Sequence, residues 1–300
     1  MERRQFIKYA LGMLGWSLTP FWSNGAGRVF GAEVPEAVWV ENGEPVELLQ
    51  TAAEAFGGLN TFISKGDVVV IKPNIGWDRA PEMGATTNPD LVAELVKQCL
   101  DAGAKQVKIF DRTCNNPRRC YRSSRIEASA KEAGAAVDQI RDFKFKNLRI
   151  TGGEEIKEWP VYQDYLEADK VINVPIAKVH SMSTVTLGLK NLMGTLGGER
   201  GSLHNHFAVK LTDIAREILP TLTIVDAYRI LEHNGPVGGN INDVKQTRTL
   251  IMSPCTATTD RLALELFGLP FEQVAHIRTA YERGLNKYDF GNLRLQKITL

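Results

Sequence analysis

Lys178, His180 and Lys190 fall within VINVPIAKVHSMSTVTLGLKNLMG (residues 171–194), spaced by small and apolar residues instead of carboxylates. An ionised amine beside a hydrocarbon core loses its water and needs a counter-charge or hydrogen bonds in return. Two chemistries suit such a group. Clustered amines can hold an anionic substrate or the phosphate or carboxylate of a cofactor. Amines crowded together also titrate lower than isolated ones, so one of them can act as a base, and imidazole serves as general acid or base near neutral pH. The catalytic candidates are therefore His180 and Lys178, with His204 as the alternative imidazole. Asp111 or Asp226 would orient the histidine or hold a divalent ion. Lys72, Asn74, Lys190, Asn191 and Arg200 are the substrate-binding candidates, Arg200 because its planar fork matches carboxylate or phosphate.

A second set of residues points to metal or redox chemistry. DRTCNNPRRCYRSS (residues 111–124) places Cys114 and Cys120 among Arg118, Arg119 and Arg122, ahead of a helix. Guanidinium groups and a helix dipole favour a thiolate, which would react or bind metal; a disulfide between the two cysteines would staple the loop instead. His204 and His206 close the glycine-rich run after Lys190 and complete a candidate metal set, although zinc sites prefer other spacings. The corresponding cofactor is a divalent metal or an iron–sulfur cluster. No C-x-x-C pair or four-cysteine ferredoxin run occurs, and Cys99 falls on the apolar face of a helix. Neither G-x-x-x-x-G-K-[ST] nor G-x-G-x-x-G occurs at a strand–helix junction, so nothing supports a nucleotide.

The elements that must carry these residues alternate from about residue 60 onward. DVVVIKPN (67–74) and KQVKIFDR (105–112) read as strands, as do DKVINVPI, TLTIVDAY (221–228) and RTLIMSP (248–254). Strands without polar alternation are covered on both faces. NPDLVAELVKQCLDAG (88–103) reads as a helix capped by Asn88, opened by Pro89 and stopped by Gly103. SSRIEASAKEAG (123–134) has Ser124 and Glu127 at capping-box spacing, and further helices cover 206–220 and 258–268. The fold class is α/β: a mainly parallel sheet flanked by helices, with a less regular inserted middle segment at 135–170 and an edge strand at the C-terminus. Lys72, Asp111, Lys178 and Asp226 then fall at the carboxyl ends of strands, where open parallel sheets bind ligands. The helix starting at Asn88 offers a further anion-binding end. The rim is extended by DAYRILEHNGPVGG (226–239), with Glu232 and His233.

With 43% apolar and 24% charged residues the chain can bury a full core, and a net charge of +1 gives no reason to expect nucleic acid as a partner. MERRQFIKYALGMLGWSLTPFWSNGAGRVFGA differs from the rest. Its basic head, short apolar middle and small-residue tail have the order of an export signal of the twin-arginine class, in which Arg3 and Arg4 are read by the twin-arginine translocase. The expected organisation is a signal over residues 1–32 and one α/β domain over 33–300. The expected location is periplasmic or otherwise exported, membrane-anchored if the signal stays uncleaved. The apolar stretch is short for a stable span.

VVVIKPNIG, TNPDLVAELVKQCLDAGAKQVKIFDRT, INVPIAKVHSMSTVTLGLKNLMG and LTIVDAYRILEHNGPVGG resemble, in this order, the family named domain of unknown function 362 (DUF362). The likeness spans roughly residues 65–255 and includes G-x-R-x-x-x-H at Arg200 and His204. It implies an α/β domain whose reaction is unestablished. Some members carry a ferredoxin-like module, but the cysteine run of such a module is missing from this sequence.

Overall fold

The computed structural model describes residues 34–300, so the export signal read over 1–32 lies outside the described residues. The described chain opens with β1 (Ala37–Glu41) and α1 (Pro45–Ala55). There follow β2 (Val68–Pro73), α2 (Pro89–Asp101), β3 (Gln106–Ile109), α3 (Pro117–Ser123), α4 (Ile126–Glu132) and β4 (Ala136–Val137). The middle segment is an antiparallel hairpin, β5 (Phe145–Arg149) and β6 (Glu158–Tyr162), followed by one turn of helix, α5 (Gln163–Leu166). The chain returns to the sheet with β7 (Lys170–Val174), β8 (Ile176–His180) and β9 (Thr184–Thr186), then α6 (Gly188–Asn191) and α7 (Phe207–Glu217). It ends with β10 (Leu222–Leu231), β11 (Val244–Ser253), α8 (Thr256–Ala263), α9 (Ala275–Glu282) and β12 (Leu295–Thr299).

The main sheet runs β12-β1-β11-β10-β7-β2-β3-β4, with β8 and β9 branching from β10. From β10 to β4 all neighbours are parallel, while β11 is antiparallel to both β10 and β1. This is the expected α/β class, a mixed and mostly parallel sheet between helices. Val69 and Ile71 of β2 enter one apolar cluster with α1, α2 and α4. Val70 enters the opposite cluster with α7 and the hairpin. Both faces are covered, which is why β2 shows no polar alternation.

Three local expectations are corrected. VINVPI is not one strand. Pro175 interrupts it: β7 lies between β2 and β10, whereas β8 stays with β10 and β9. Glu127 pairs with Lys131 at 2.6 Å and does not close a capping box, because a separate helix, α3, already occupies the preceding residues. Asp226 does not end its strand, since β10 runs on to Leu231. Its carboxylate instead accepts the Asn88 N–H (2.7 Å) at the start of α2 and the Tyr228 N–H (3.1 Å). The helix end proposed for a ligand anion is therefore filled by the protein's own carboxylate.

Burial pushes the Asp226 carboxyl up to about 6. A carboxyl with a raised folded value contributes stability that is present below its unfolded value of 3.8 and lost as pH rises through about 6. Asp226→Ala, which strands two backbone donors, should cost about 1–3 kcal/mol. Urea unfolding should show the largest cost near pH 4 and a smaller one at pH 7.

Candidate functional site

The fork at Pro175 makes the site. Pairing of β2 with β7 ends at Pro73–Val174, and beyond that point β8 follows β10 while the chain after β2 turns toward α2. A cavity of about 550 Å³ opens there, at the carboxyl ends of β2, β3 and β7. It receives Lys72 and Asn74 from β2 and its exit, Asp111 and Cys114 from the loop after β3, and Lys178 and His180 from β8. Lys190, Asn191 and Gly194 come from α6 and the turn behind it, and Arg200 and His204 from the glycine-rich loop. Among the described residues, five lysine and arginine side chains line the cavity against one carboxylate, that of Asp111.

That carboxylate is already committed. Asp111 Oδ1 pairs with Lys72 Nζ at 2.8 Å, with both side chains almost fully buried, and Oδ2 accepts the Ile75 N–H at 2.6 Å. Lys72 also donates to the Pro73 carbonyl (2.8 Å) and to Asn191 Oδ1 (3.1 Å). Asn191 accepts from Asn74 Nδ2 (3.0 Å) and donates to the Lys72 carbonyl and to Asn173 Oδ1. These bonds lock α6 onto β2 and β7. Gly194 is required above them: a Cβ there would lie 1.8 Å from Asp111 Oδ1 and 2.5 Å from Lys72 Nζ. Burial pulls the Lys72 amine down, opposed by Asp111.

Among the described residues the other two amines have no carboxylate. Lys178 Nζ, on a residue 1% exposed, donates to the Ala85 carbonyl (2.5 Å) and Asn74 Oδ1 (3.3 Å). Lys190 Nζ meets Met193 Sδ (3.8 Å) and the Phe207 ring (5.5 Å to the centroid), with no hydrogen-bonded oxygen among the described residues. Burial brings Lys178 down to about 7 and Lys190 to about 8, with Cys114 opposing both shifts. Thr186, opposite Lys178 on β9, lines the same cavity with a buried hydroxyl that has no partner among the described residues.

The two imidazoles use Nδ1 in opposite ways. His180 Nδ1 accepts the Met182 N–H (3.1 Å), and burial together with Lys190 and Lys178 pushes its value down to about 3. It is neutral, with its proton on Nε2. His204 Nδ1 donates to the Gly201 carbonyl (3.1 Å).

The residues chosen from the sequence divide accordingly. Lys72, Asn74, Asp111, Cys114, Lys178, His180, Lys190, Asn191, Arg200 and His204 meet in one cavity. Arg200 spends its fork on the backbone carbonyls of Arg112, Thr113 and Met193, tying two loops together. Asp226, Cys120 and His206 do not line the cavity. Cys120 is buried with its thiol 3.8 Å from the Gly76 carbonyl, and His206 binds Glu155 at 2.7 Å on the surface. Cys114 and Cys120 are both free thiols, so no disulfide staples the loop. The metal set is thus dispersed, and among the described residues no three His, Cys, Asp or Glu side chains gather as a metal site. Of the residues named on the 226–239 rim, Glu232 pairs with Lys245 and His233 is exposed, whereas Pro236 and Val237 reach the cavity.

Asp260 was missed. Fully buried in α8, it accepts the N–H groups of Gly188 (2.6 Å) and Leu189 (2.8 Å) and so holds the start of the helix that presents Lys190 and Asn191. Burial raises its carboxyl to about 7. The available signal was a carboxylate on the buried face of a short helix. His276 was missed as well: it is buried in α9 with Nε2 unpartnered, and burial and Lys190 lower it to about 3.

The chain belongs to the family described as domain of unknown function (DUF362), matched over residues 69–265. It is 26% identical over 254 residues to the thylakoid-associated protein sll1697 of Synechocystis, a match spanning 82% of this chain and 77% of that protein. Two solved structures are more distant. One, a protein from Thermotoga maritima, has a TM-score of 0.49 at 11% identity, over 75% of this chain and 59% of that one. The other, the lactate racemase apoprotein of Thermoanaerobacterium thermosaccharolyticum, has a TM-score of 0.47 at 12% identity, over 72% and 54%. This chain therefore spans little more than half the length of either solved protein. Among the described residues no helix is long and apolar enough to cross a membrane.

A lysine depressed from 10.5 to about 7 contributes stability that is complete above the unfolded value and lost as pH falls through the folded one. Each unit corresponds to about 1.4 kcal/mol. Comparing urea unfolding of Lys178→Met with the unsubstituted protein should show the difference moving in the variant's favour as pH drops from 9 to 6. A difference that stays constant over this range would mean that Lys178 is not held neutral by burial.

Proposed function

We propose that the protein is an enzyme that binds a small anion among Lys178, Lys190 and Thr186 and moves a proton on it through Lys178. One observation carries this reading: a buried and a half-buried amine face a cavity whose only lining carboxylate among the described residues is already paired with Lys72. An anionic ligand supplies the missing charge. Protonated Lys190 and Lys178 would hold it, the Thr186 hydroxyl would gain its absent partner, and His180 Nε2–H would add a neutral donor. With a value of about 7, Lys178 is present in both forms at neutral pH, so it can give or take a proton without an external base. His204 lines the same cavity. The lysine, histidine and aspartate candidates thus form a binding and acid–base set, with Asp111 serving to anchor Lys72. The Arg3–Arg4 leader supports export by the twin-arginine route for a chain that carries no disulfide among its described residues.

Anion binding favours the protonated amines, so affinity must fall as pH rises through about 7 and 8. Titration calorimetry with phosphate, acetate and oxalate should give binding at pH 6 that weakens at least tenfold by pH 9, with proton uptake near pH 7.5. Lys190→Met should lose most of it. Proton NMR of malonate in D2O should then detect exchange at its methylene carbon that Lys178→Met abolishes. No binding, or binding indifferent to pH, defeats the proposal.

Export is tested separately. In a host with a twin-arginine translocase, an Arg3→Lys, Arg4→Lys variant should remain in the cytoplasmic fraction. Unchanged export of that variant would remove the translocase from the account.

A further inference from the structure

The walls of the cavity change character with depth. At its base, Lys72, Asp111, Lys178 and Asn191 are each no more than 4% exposed. Toward solvent the lining includes Trp77, Met182, Pro236 and Val237, which are half-buried or exposed. These four come from three separate segments: the loop after β2, the β8–β9 turn and the loop between β10 and β11. Met182 is 64% exposed, one of the few large apolar side chains left in water among the described residues. Arg112, Thr113, Ser181 and His204 line the rest of the mouth, so the apolar side chains form one wall of it, above amines that are buried where charged side chains usually stay in water.

A fully hydrated small anion would use the base and leave this collar without a function. A ligand with an apolar tail would use both, because the tail removes Met182 and its neighbours from water while the head meets the amines. We infer that the cavity takes amphiphilic anions, with one carboxylate or phosphate head at Lys178, Lys190 and Thr186 and an apolar tail running out between Trp77, Met182 and the Pro236–Val237 loop. This inference rests on the anion-binding reading above and adds the substrate class to it. The collar side chains supply hydrocarbon contact only, so they set affinity for the tail and leave the head group's binding unchanged.

The test uses the full chain and two homologous series at pH 6: acetate, butanoate, hexanoate and octanoate, and methyl, butyl and hexyl phosphate. Each methylene taken from water is worth about fourfold in affinity. Calorimetry should show a Kd falling by about that factor per methylene in at least one series, and the better series identifies the head group. A Trp77→Ser, Met182→Ser double variant should bind acetate and methyl phosphate as before while flattening the chain-length slope. Lys190→Met should weaken every member by a similar factor. If acetate or methyl phosphate binds but neither series shows a slope, the tail is wrong and the anion site survives. If no member of either series binds, the anion-binding reading falls with it. A slope retained in the double variant, or an affinity for octanoate indifferent to Lys190→Met, would mean adsorption elsewhere and overturn the inference.

Discussion

Desolvation of amines governs this structure. Three lysines from β2, β8 and α6 are brought out of water within one hollow, and one carboxylate is available to offset them. Asp111 satisfies Lys72, and that pair is built into the fold: it joins β2 to the loop after β3 and receives Asn191 from α6. The remaining amines lower their charge instead of finding a partner, which is the cheaper response when a cation is buried alone. Lys178 keeps two acceptors, an amide and a backbone carbonyl, that suit a neutral amine as well as a charged one. Lys190 keeps only sulfur and an aromatic face. Such groups tie the protonation state of the cavity to whatever enters it.

The middle segment, which holds Asp164, could have supplied those counter-charges. It does not. Asp164 sits between Lys108 (2.9 Å) and Lys144 (2.7 Å), away from the cavity, and a purely structural ion network around Lys178 and Lys190 is absent among the described residues. The hairpin instead buries Val161 and Tyr162 in the core against α7.

Two helix starts illustrate how the same chemistry is used internally. Asp226 fills the N-terminal end of α2, and Asp260 fills that of α6. Each buried carboxylate accepts two backbone N–H groups, and each is raised by burial because those bonds replace water only in part. The second has consequences for the site, since α6 is a single turn and has little intrinsic stability. Its position, and with it that of Lys190, depends on α8 reaching across to hold its first residues. Gly188 permits that approach: a Cβ there would lie 2.7 Å from Asp260 Oδ1.

Much of this was legible in the sequence. The unbroken apolar runs dictated buried parallel strands, Asn88-Pro89 dictated where α2 begins, and the amines spaced through apolar residues announced an electrostatic debt near the strand ends. Local pattern carries such information because strand burial and helix capping are decided by a few neighbouring residues. What pattern could not decide was which polar side chains face the hollow and which face inward. Asp226 and Asp111 look alike along the chain, yet β10 continues past one while β3 stops short of the other. His206 lies two residues from His204 and binds Glu155, from a distant turn. Asp260 governs a helix some seventy residues before it. Those assignments depend on packing between segments far apart in sequence, and only the tertiary structure brings the partners together.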